Sequence, residues 1–317
     1  LGLGGVNTVE ELARVKSVVV VNTARRGVCV LNADDPLTIR MARRARGRLC
    51  WFSLRGGDDM PGFLRRHVLE GGRAALLEPG RGAGVLVLHE RGRRTELLAA
   101  AEIPATLGGL ARFNVQNALA AAAVAAALRV APAVIAQALA GATSDYQDNP
   151  GRLNVHEIAA GGGRIKVILD YAHNPAGLAA LKTLVDGLRP EHDRVLGLVS
   201  IPGDRRDEDI VAMGETAAGC FDELIFRERP DGRGRAPGEV VRLLAEGAVR
   251  AGFDDARIRR VPSEAAAVDA ALRMARAGDL LVLLPTDVEG SWRQVQAFRP
   301  AADPAPGGRL EPEVAHV

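Results

Sequence analysis

Residues 164–177 read RIKVILDYAHNPAG, and the rest of the chain takes its place around them. Ile165, Val167, Ile168 and Leu169 make a short apolar run rich in β-branched side chains, the pattern of a strand buried on both faces. The run stops at Asp170. A polar turn from Tyr171 to Pro175 follows, and from Ala176 onward Leu178, Leu181, Leu184 and Leu188 recur at the spacing of an amphipathic helix. Strand, turn and helix make half of a βαβ unit. In open α/β sheets ligands gather outside the carboxyl ends of the strands. Asp170 stands at such an end, placed to accept from a hydroxyl or to hold a cation's water. His173 and Asn174 stand near a helix N-terminus, where free N–H groups and the helix dipole favour phosphate. The same residue types also serve as plain turn and cap residues, bonding their own backbone. Spacing alone leaves both readings of Asp170 and Asn174 open.

The chain has 317 residues, of which 47% are apolar. That is enough for two domains with cores of their own, and it argues against a disordered chain. A net charge of +2 gives no strong pull toward nucleic acid or membrane. The only lysines are Lys16, Lys166 and Lys182; arginine carries the rest of the positive charge. Cys29, Cys50 and Cys220 lie far apart without metal-ligand spacing, and reduced thiols in a cytoplasmic protein are the expectation. The most apolar stretch, Ala118 to Leu128, is too short to span a bilayer, and no signal-peptide pattern is read.

Working toward the N-terminus, Asn7 or Thr8 can cap a helix that ends at Lys16. Val18 to Val21 is a further apolar element, and Val28 to Leu31 reads as a strand leading into Asn32, Ala33, Asp34, Asp35 and Pro36. Gly2 to Gly5 is weak as a phosphate loop, because no strand precedes it and no Lys-Ser/Thr follows. Leu49 to Leu54 is a strand. Residues 55–105 alternate short apolar pieces with Gly/Arg turns, the look of a small β-rich insertion. Residues 106–128 run from a glycine turn into an alanine-rich helix suited to close packing on a sheet. Asn114 and Asn117 share one face at its start; their amides suit the polar edge of a purine, and either can cap the helix. A second helix, Pro132 to Ala140, precedes the polar run Thr143 to Pro150, read as an interdomain linker. Working toward the C-terminus, Arg194 to Val199, Glu223 to Phe226 and Leu280 to Leu284 read as strands. The segment SIPGDRRDEDI after the first of these reads as an anion loop or as a solvated charge cluster. Arg229 to Gly238 reads as a mobile Arg/Gly loop.

The DYAHNP string at Asp170 resembles the start of the C-terminal domain of the Mur ligase superfamily. Those enzymes are ATP-dependent ligases that activate a carboxylate as an acyl phosphate and join it to an amine. Further matches follow in chain order. A helix ending in lysine leads to a strand ending in NADDP. A GxxxxxNxxNALAA pattern holds Asn114 and Asn117, and a PGR motif holds Arg152. Within the superfamily the likeness is greatest to the arginine-adding part of the enzymes that make the aspartate–arginine polymer cyanophycin, through RRH…EGGRA…IPATLGG and GDRRDEDI. The resemblance implies a partial Mur ligase central domain over 1–145 with the β-rich insertion, a Rossmann-like ligase domain over 146–298, and a disordered tail over 299–317. It implies ATP contacts at Asn114, Asn117, Arg152, Asp170 and His173, and catalytic roles for Lys16, Arg152 and His173. Asn174, Arg205 and Arg206 are implied in substrate binding, and Lys16, as a carbamate, in holding Mg2+. Arginine and an aspartate polymer are the implied substrates, a folylpolyglutamate-forming enzyme is the alternative ligase, and a non-catalytic nucleotide-binding module is the alternative outside enzymes. Homo-oligomerisation stays open. No G-x-x-x-x-G-K-[ST] occurs: none of the three lysines follows a glycine. With Leu1 at the start, the expectation is that an upstream part carrying that loop is missing, and that this chain alone is inactive.

Overall fold

The computed structural model describes residues 4–160, 162–229 and 231–300. Its strands form two sheets. The first half of the chain runs α1 (Val9–Lys16), α2 (Val18–Val21), β1 (Val28–Asn32), α3 (Pro36–Ala42), β2 (Arg48–Ser53), α4 (Gly62–Leu69), β3 (Arg73–Glu78), β4 (Val85–Glu90), β5 (Arg93–Ala99), α5 (Arg112–Ala127) and α6 (Pro132–Ala140). Thr8 caps α1 in a capping box. Its hydroxyl accepts from the Glu11 N–H at 3.1 Å, and the Glu11 carboxylate accepts from the N–H groups of Asn7 at 2.8 Å and Thr8 at 3.0 Å. This satisfies donors that a helix start otherwise leaves orphaned. Asp35 caps α3 with Pro36 at its first turn, so the NADDP acids do the turn work their types favour. Asp34 accepts from the Ser53 hydroxyl at 2.6 Å and the Leu54 N–H at 2.7 Å, tying the ends of β1 and β2.

The first sheet has the order β1-β2-β3-β4-β5, parallel through β3 and antiparallel beyond it. The β-rich stretch thus extends the same sheet as β1 and β2. Helix α5 lies on one face: Val115, Ala118, Leu119, Ala122, Ala123 and Ala126 are buried among Ala75, Leu86 and Leu88. Alanine lets that helix approach closely; the Cys50 sulfur stands 4.0 Å from the Ala123 carbonyl oxygen.

The second half runs β6 (Asn154–Ala160), β7 (Gly163–Leu169), α7 (Pro175–Leu188), β8 (Val195–Val199), α8 (Asp207–Ala218), β9 (Glu223–Phe226), α9 (Glu239–Arg250), β10 (Ile258–Arg260), α10 (Glu264–Met274), β11 (Leu280–Leu283) and α11 (Val288–Ala297). The strand order is β10-β9-β8-β11-β7-β6, all parallel except β6. β7 is covered on both faces as its run implies: Ile168 joins the core under α7, α8 and α9, and Ile165, Val167 and Leu169 join the core under α10 and α11. On α7, Leu178, Leu181, Leu184, Val185 and Leu188 are buried, each worth about 1.5–3 kcal/mol of burial.

The run Thr143–Pro150 between the halves is a built turn. Asn154, buried, donates to the carbonyls of Ser144 at 2.9 Å and Asn149 at 2.8 Å, and Tyr146 stacks on Trp292 with centroids 4.7 Å apart. The Arg/Gly loop expected to be mobile is pinned as well. Arg235 donates to the Gly203 carbonyl at 2.6 Å and the Arg205 carbonyl at 2.7 Å and pairs with Asp207 and Glu239. The expected tail falls outside the described residues from residue 301 on, as does the start of the Gly2–Gly5 run. No described helix is long and apolar enough to cross a membrane.

Candidate functional site

A crevice of about 700 Å³ lies between the N-terminal end of α5 and the carboxyl end of β7. Asn114, Asn117, Arg152, Asp170, His173 and Asn174 all line it. Phe113, Ala118, Leu139 and Leu181 give it apolar walls. The turn after β7 thus faces the asparagine pair of the other sheet's helix.

On the first wall, the two amides are not equivalent. Asn114 donates to the Ala105 carbonyl at 2.6 Å and accepts from the Asn117 Nδ2 at 3.2 Å. Asn114 is therefore the anchor. Asn117 is exposed, and its Oδ1 and second N–H have no partner among the described residues. One acceptor beside one donor is the edge that pairs with N6 and N7 of an adenine.

On the second wall, Asp170 is largely buried and works on the backbone. Oδ2 accepts from the Leu153 N–H at 3.1 Å, and Oδ1 accepts from the Ala172 N–H at 2.9 Å. Burial raises its carboxyl above the ordinary carboxylate range, against the lowering pull of those N–H groups and of Arg152. The bond to Leu153 matters because Leu153 sits at φ +56°, a left-handed conformation that disfavours a branched side chain by about 1–2 kcal/mol. Asp170 holds that bend, which sets Arg152 at the crevice mouth with its guanidinium 5.3 Å from the Tyr171 ring centre. His173 Nδ1 lies 2.8 Å from the Tyr171 carbonyl oxygen. A carbonyl only accepts, so this contact puts the proton on Nδ1 and leaves Nε2 as the acceptor. Asn174 caps α7, accepting from the Gly177 N–H at 2.8 Å. Turn work and a place in the crevice therefore coincide at Asp170 and Asn174.

Three expected residues lie elsewhere. Lys16 is exposed at the end of α1 and does not line the crevice. Arg205 and Arg206 stand in the loop before α8, and both are neutralised locally. Arg205 pairs with Asp204, and Arg206 pairs with Glu208 and Asp209. Among the described residues no group of three or more His, Cys, Asp or Glu is set to hold a metal ion. Sequence reading missed the part Tyr171 plays under Arg152. It also missed the buried Arg227, whose guanidinium pairs with Glu264 at 3.0 Å and donates to the Leu284 carbonyl at 3.1 Å and the Thr286 hydroxyl at 3.0 Å. Burial pulls that guanidinium down to about 10, with Glu264 resisting. Glu264 also accepts from the N–H groups of Thr286 at 2.6 Å and Asp287 at 3.0 Å, so the pair ties the strand ends of β9 and β11 to α10.

Residues 151–286 match the family model described as Mur ligase, glutamate ligase domain. The second half of the chain thus carries a Mur ligase C-terminal domain. It is 34% identical over 302 residues to the cyanophycin synthetase of Geminocystis herdmanii, covering 94% of this chain and 32% of that one. It is 35% identical over 288 residues to the cyanophycin synthetase of Crocosphaera subtropica, covering 91% of this chain and 31% of that one. The chain thus spans about a third of the length of these curated relatives. Its fold is similar to that of the Mycobacterium tuberculosis folylpolyglutamate synthase complexed with ADP, at TM-score 0.60 and 20% identity, covering 94% of this chain and 61% of that one.

Proposed function

We propose that the crevice binds the adenosine end of ATP, and that the chain is one part of an ATP-dependent amide ligase of the cyanophycin synthetase kind. The reading rests on one observation above all: the unpaired amide edge of Asn117 and the Asp170–His173 turn face each other across one crevice. In this reading Asn117 reads the adenine edge, held by Asn114. Asp170 accepts from a ribose hydroxyl with a lone pair its two backbone bonds leave free. The Arg152 guanidinium turns toward the phosphates, whose oxygens its planar fork suits, and His173, with Nδ1–H held by the Tyr171 carbonyl, meets them at Nε2 as the imidazolium, which donates from both nitrogens. The reaction proposed is attack of an aspartate β-carboxylate on the terminal phosphoryl group of ATP, which breaks the bond between that phosphorus and the bridging β,γ-oxygen, releases ADP and gives an acyl phosphate. The α-amine of arginine then attacks the acyl carbon, loses a proton and expels phosphate. Arg205 and Arg206 are assigned to the carboxylate of the incoming amino acid, for which they would exchange one acidic partner for another. A cytoplasmic protein fits the three unpaired cysteines. The domain division proposed is 1–145 and 146–298.

Magnesium is different. The described residues offer no acidic donor cluster, and Lys16 is not at the crevice, so no step is assigned to a metal held by this chain. The 317 residues also contain no glycine–lysine pair and hence no loop of the G-x-x-x-x-G-K-[ST] type to cradle the β- and γ-phosphates. We therefore expect nucleotide affinity without ligation when this chain is assayed by itself.

Calorimetric titration with ATP tests the reading. Asn117→Ala should weaken binding by about 1–3 kcal/mol, the worth of a bidentate amide–adenine pair, and an unchanged affinity would refute the assignment. ATP, arginine and an aspartate polymer together should yield no product from this chain alone. Product formation would overturn the expectation of inactivity, and turnover of a folate substrate in place of the polymer would favour the folylpolyglutamate reading.

A further inference from the structure

The far end of α5 borders a second concavity of about 700 Å³. Asn114 and Ala126 are twelve residues apart on α5, which sets this feature about 18 Å from the crevice. Arg48, Arg73, Arg91, Arg93 and Arg129 line it, with Glu90 the one acid in its wall. Past Arg48, Arg73 and Arg91 it continues into a smaller hollow of about 380 Å³, whose wall adds Glu70 as a second acid. The two share a wall, so the feature is an elongated groove rather than a pit for a single ion.

Of these arginines, Arg73 alone has an ion-pair partner among the described residues, namely Glu90, and its Nε is buried without one. Arg48 makes only a long 3.5 Å bond to the Arg26 carbonyl. Elsewhere Arg194, Arg206 and Arg235 meet carboxylates while Arg14, Arg25, Arg40 and Arg43 have no ion-pair partner among the described residues, so what sets the groove apart is the gathering of such arginines in one concavity rather than the lack of partners alone. Arg129 has a local reason to be here, because it follows the C-terminus of α5, where the carbonyl dipoles favour a cation. Arg48, Arg91 and Arg93 have no such reason. A chain whose charge nearly balances at +2 therefore gathers uncompensated positive charge along one groove, and like charges so placed call for an anion.

We infer that this groove binds an acidic peptide chain. Guanidinium forks take carboxylates bidentately, and an elongated row of them suits a chain of carboxylates. The apolar floor of Leu88 and Val130 suits its methylenes. Among the described residues no Phe, Tyr or Trp lines the groove, which weighs against a platform for stacking bases and so against nucleic acid. That the chain is rich in aspartate rests on the ligase reading above; that the groove takes anions does not. On that reading the groove holds aspartate units not yet joined to arginine, whose carboxylates are still free, and raises their local concentration near the crevice.

The test uses the 317-residue chain and a fluorescently labelled oligo-aspartate of about twelve residues, read by anisotropy; extended, that probe spans about 40 Å. Binding should weaken as salt rises. Arg93→Glu with Arg129→Glu should weaken it tenfold or more, and the Gln pair at the same positions should weaken it less, with melting midpoints of both variants near that of the parent. Asn117→Ala should leave it unchanged. No loss in either arginine variant would overturn the site. Displacement by tripolyphosphate or by an RNA oligomer at lower concentration than by oligo-aspartate would overturn the peptide assignment. Oligo-aspartate binding that persists while ATP titration fails would leave the groove standing and remove the ligase reading.

Discussion

At the scale of single residues, the crevice turns on one carboxylate with two duties. Asp170 holds the left-handed bend at Leu153 and thereby aims Arg152, and it also presents its remaining lone pairs to the crevice. Burial raises its pKa in the folded chain, so the folded state keeps its proton to higher pH than the unfolded state does. Between the two values the folded form binds more protons, and stability falls as pH rises through that window, which starts in the ordinary carboxylate range and extends upward. Asp170→Asn removes the ionisation. Relative to this variant, the parent chain should lose melting temperature as pH climbs out of the ordinary carboxylate range, where a buried carboxyl with a raised pKa gives up its proton. Parallel melting curves across that range would contradict the assignment. The amide keeps only one acceptor atom, so one of the two backbone donors goes unpaired, and at acid pH the variant should be the less stable by about 1–3 kcal/mol.

At the scale of elements, the best-read pieces are those whose identity is local. β7 was legible because burial on both faces demands an unbroken apolar run, and α7 because its leucines fall on one stripe. β6 escaped because it is the antiparallel edge of its sheet and mixes Val155, His156 and Glu157 into a pattern no stronger than a loop's. β10 is three residues long, and its strand character comes from pairing with β9. The Arg227–Glu264 pair joins residues 37 positions apart, so nothing local announces it. The same holds for the seam of α8 and α9. There Gly214 and Gly247 lie against each other's helix: a Cβ on Gly214 would come closer than 3.0 Å to the Leu244 carbonyl oxygen, and one on Gly247 equally close to that of Val211. Helix propensity alone says that Gly→Ala gains about 1 kcal/mol in a helix interior. Backbone cannot yield as a side chain can, so the overlap should prevail. Gly214→Ala should lower stability by about 1–3 kcal/mol, measured by denaturant midpoint at unchanged slope. A stabilised variant would mean that the two helices separate freely.

At the scale of the whole molecule, the crevice lies where two sheets, each with a core of its own, meet. Each side of it was legible in the sequence, Asn114 and Asn117 on a helix face and Asp170 to Asn174 on a turn; that they face each other is a property of the fold. Leu107, Ala111 and Phe113, from the segment that opens α5, pack into the core of the second sheet, and Leu110 lies against Gly187. A few such side chains supply about 1.5–3 kcal/mol each, against the 5–15 kcal/mol typical of a whole folding unit. Coupling of that size delays the second unit without fusing the two. Calorimetry should therefore give a van't Hoff enthalpy clearly below the calorimetric one, the mark of more than one transition. ATP at a hundredfold excess over its dissociation constant should stabilise the bound form by about 2.7 kcal/mol. Because the proposed contacts come from both sheets, that stabilisation should draw the two transitions together as well as upward. A ligand held by one sheet alone would raise one transition and leave the other where it was, and this result would remove the crevice as a shared site while leaving the fold untouched.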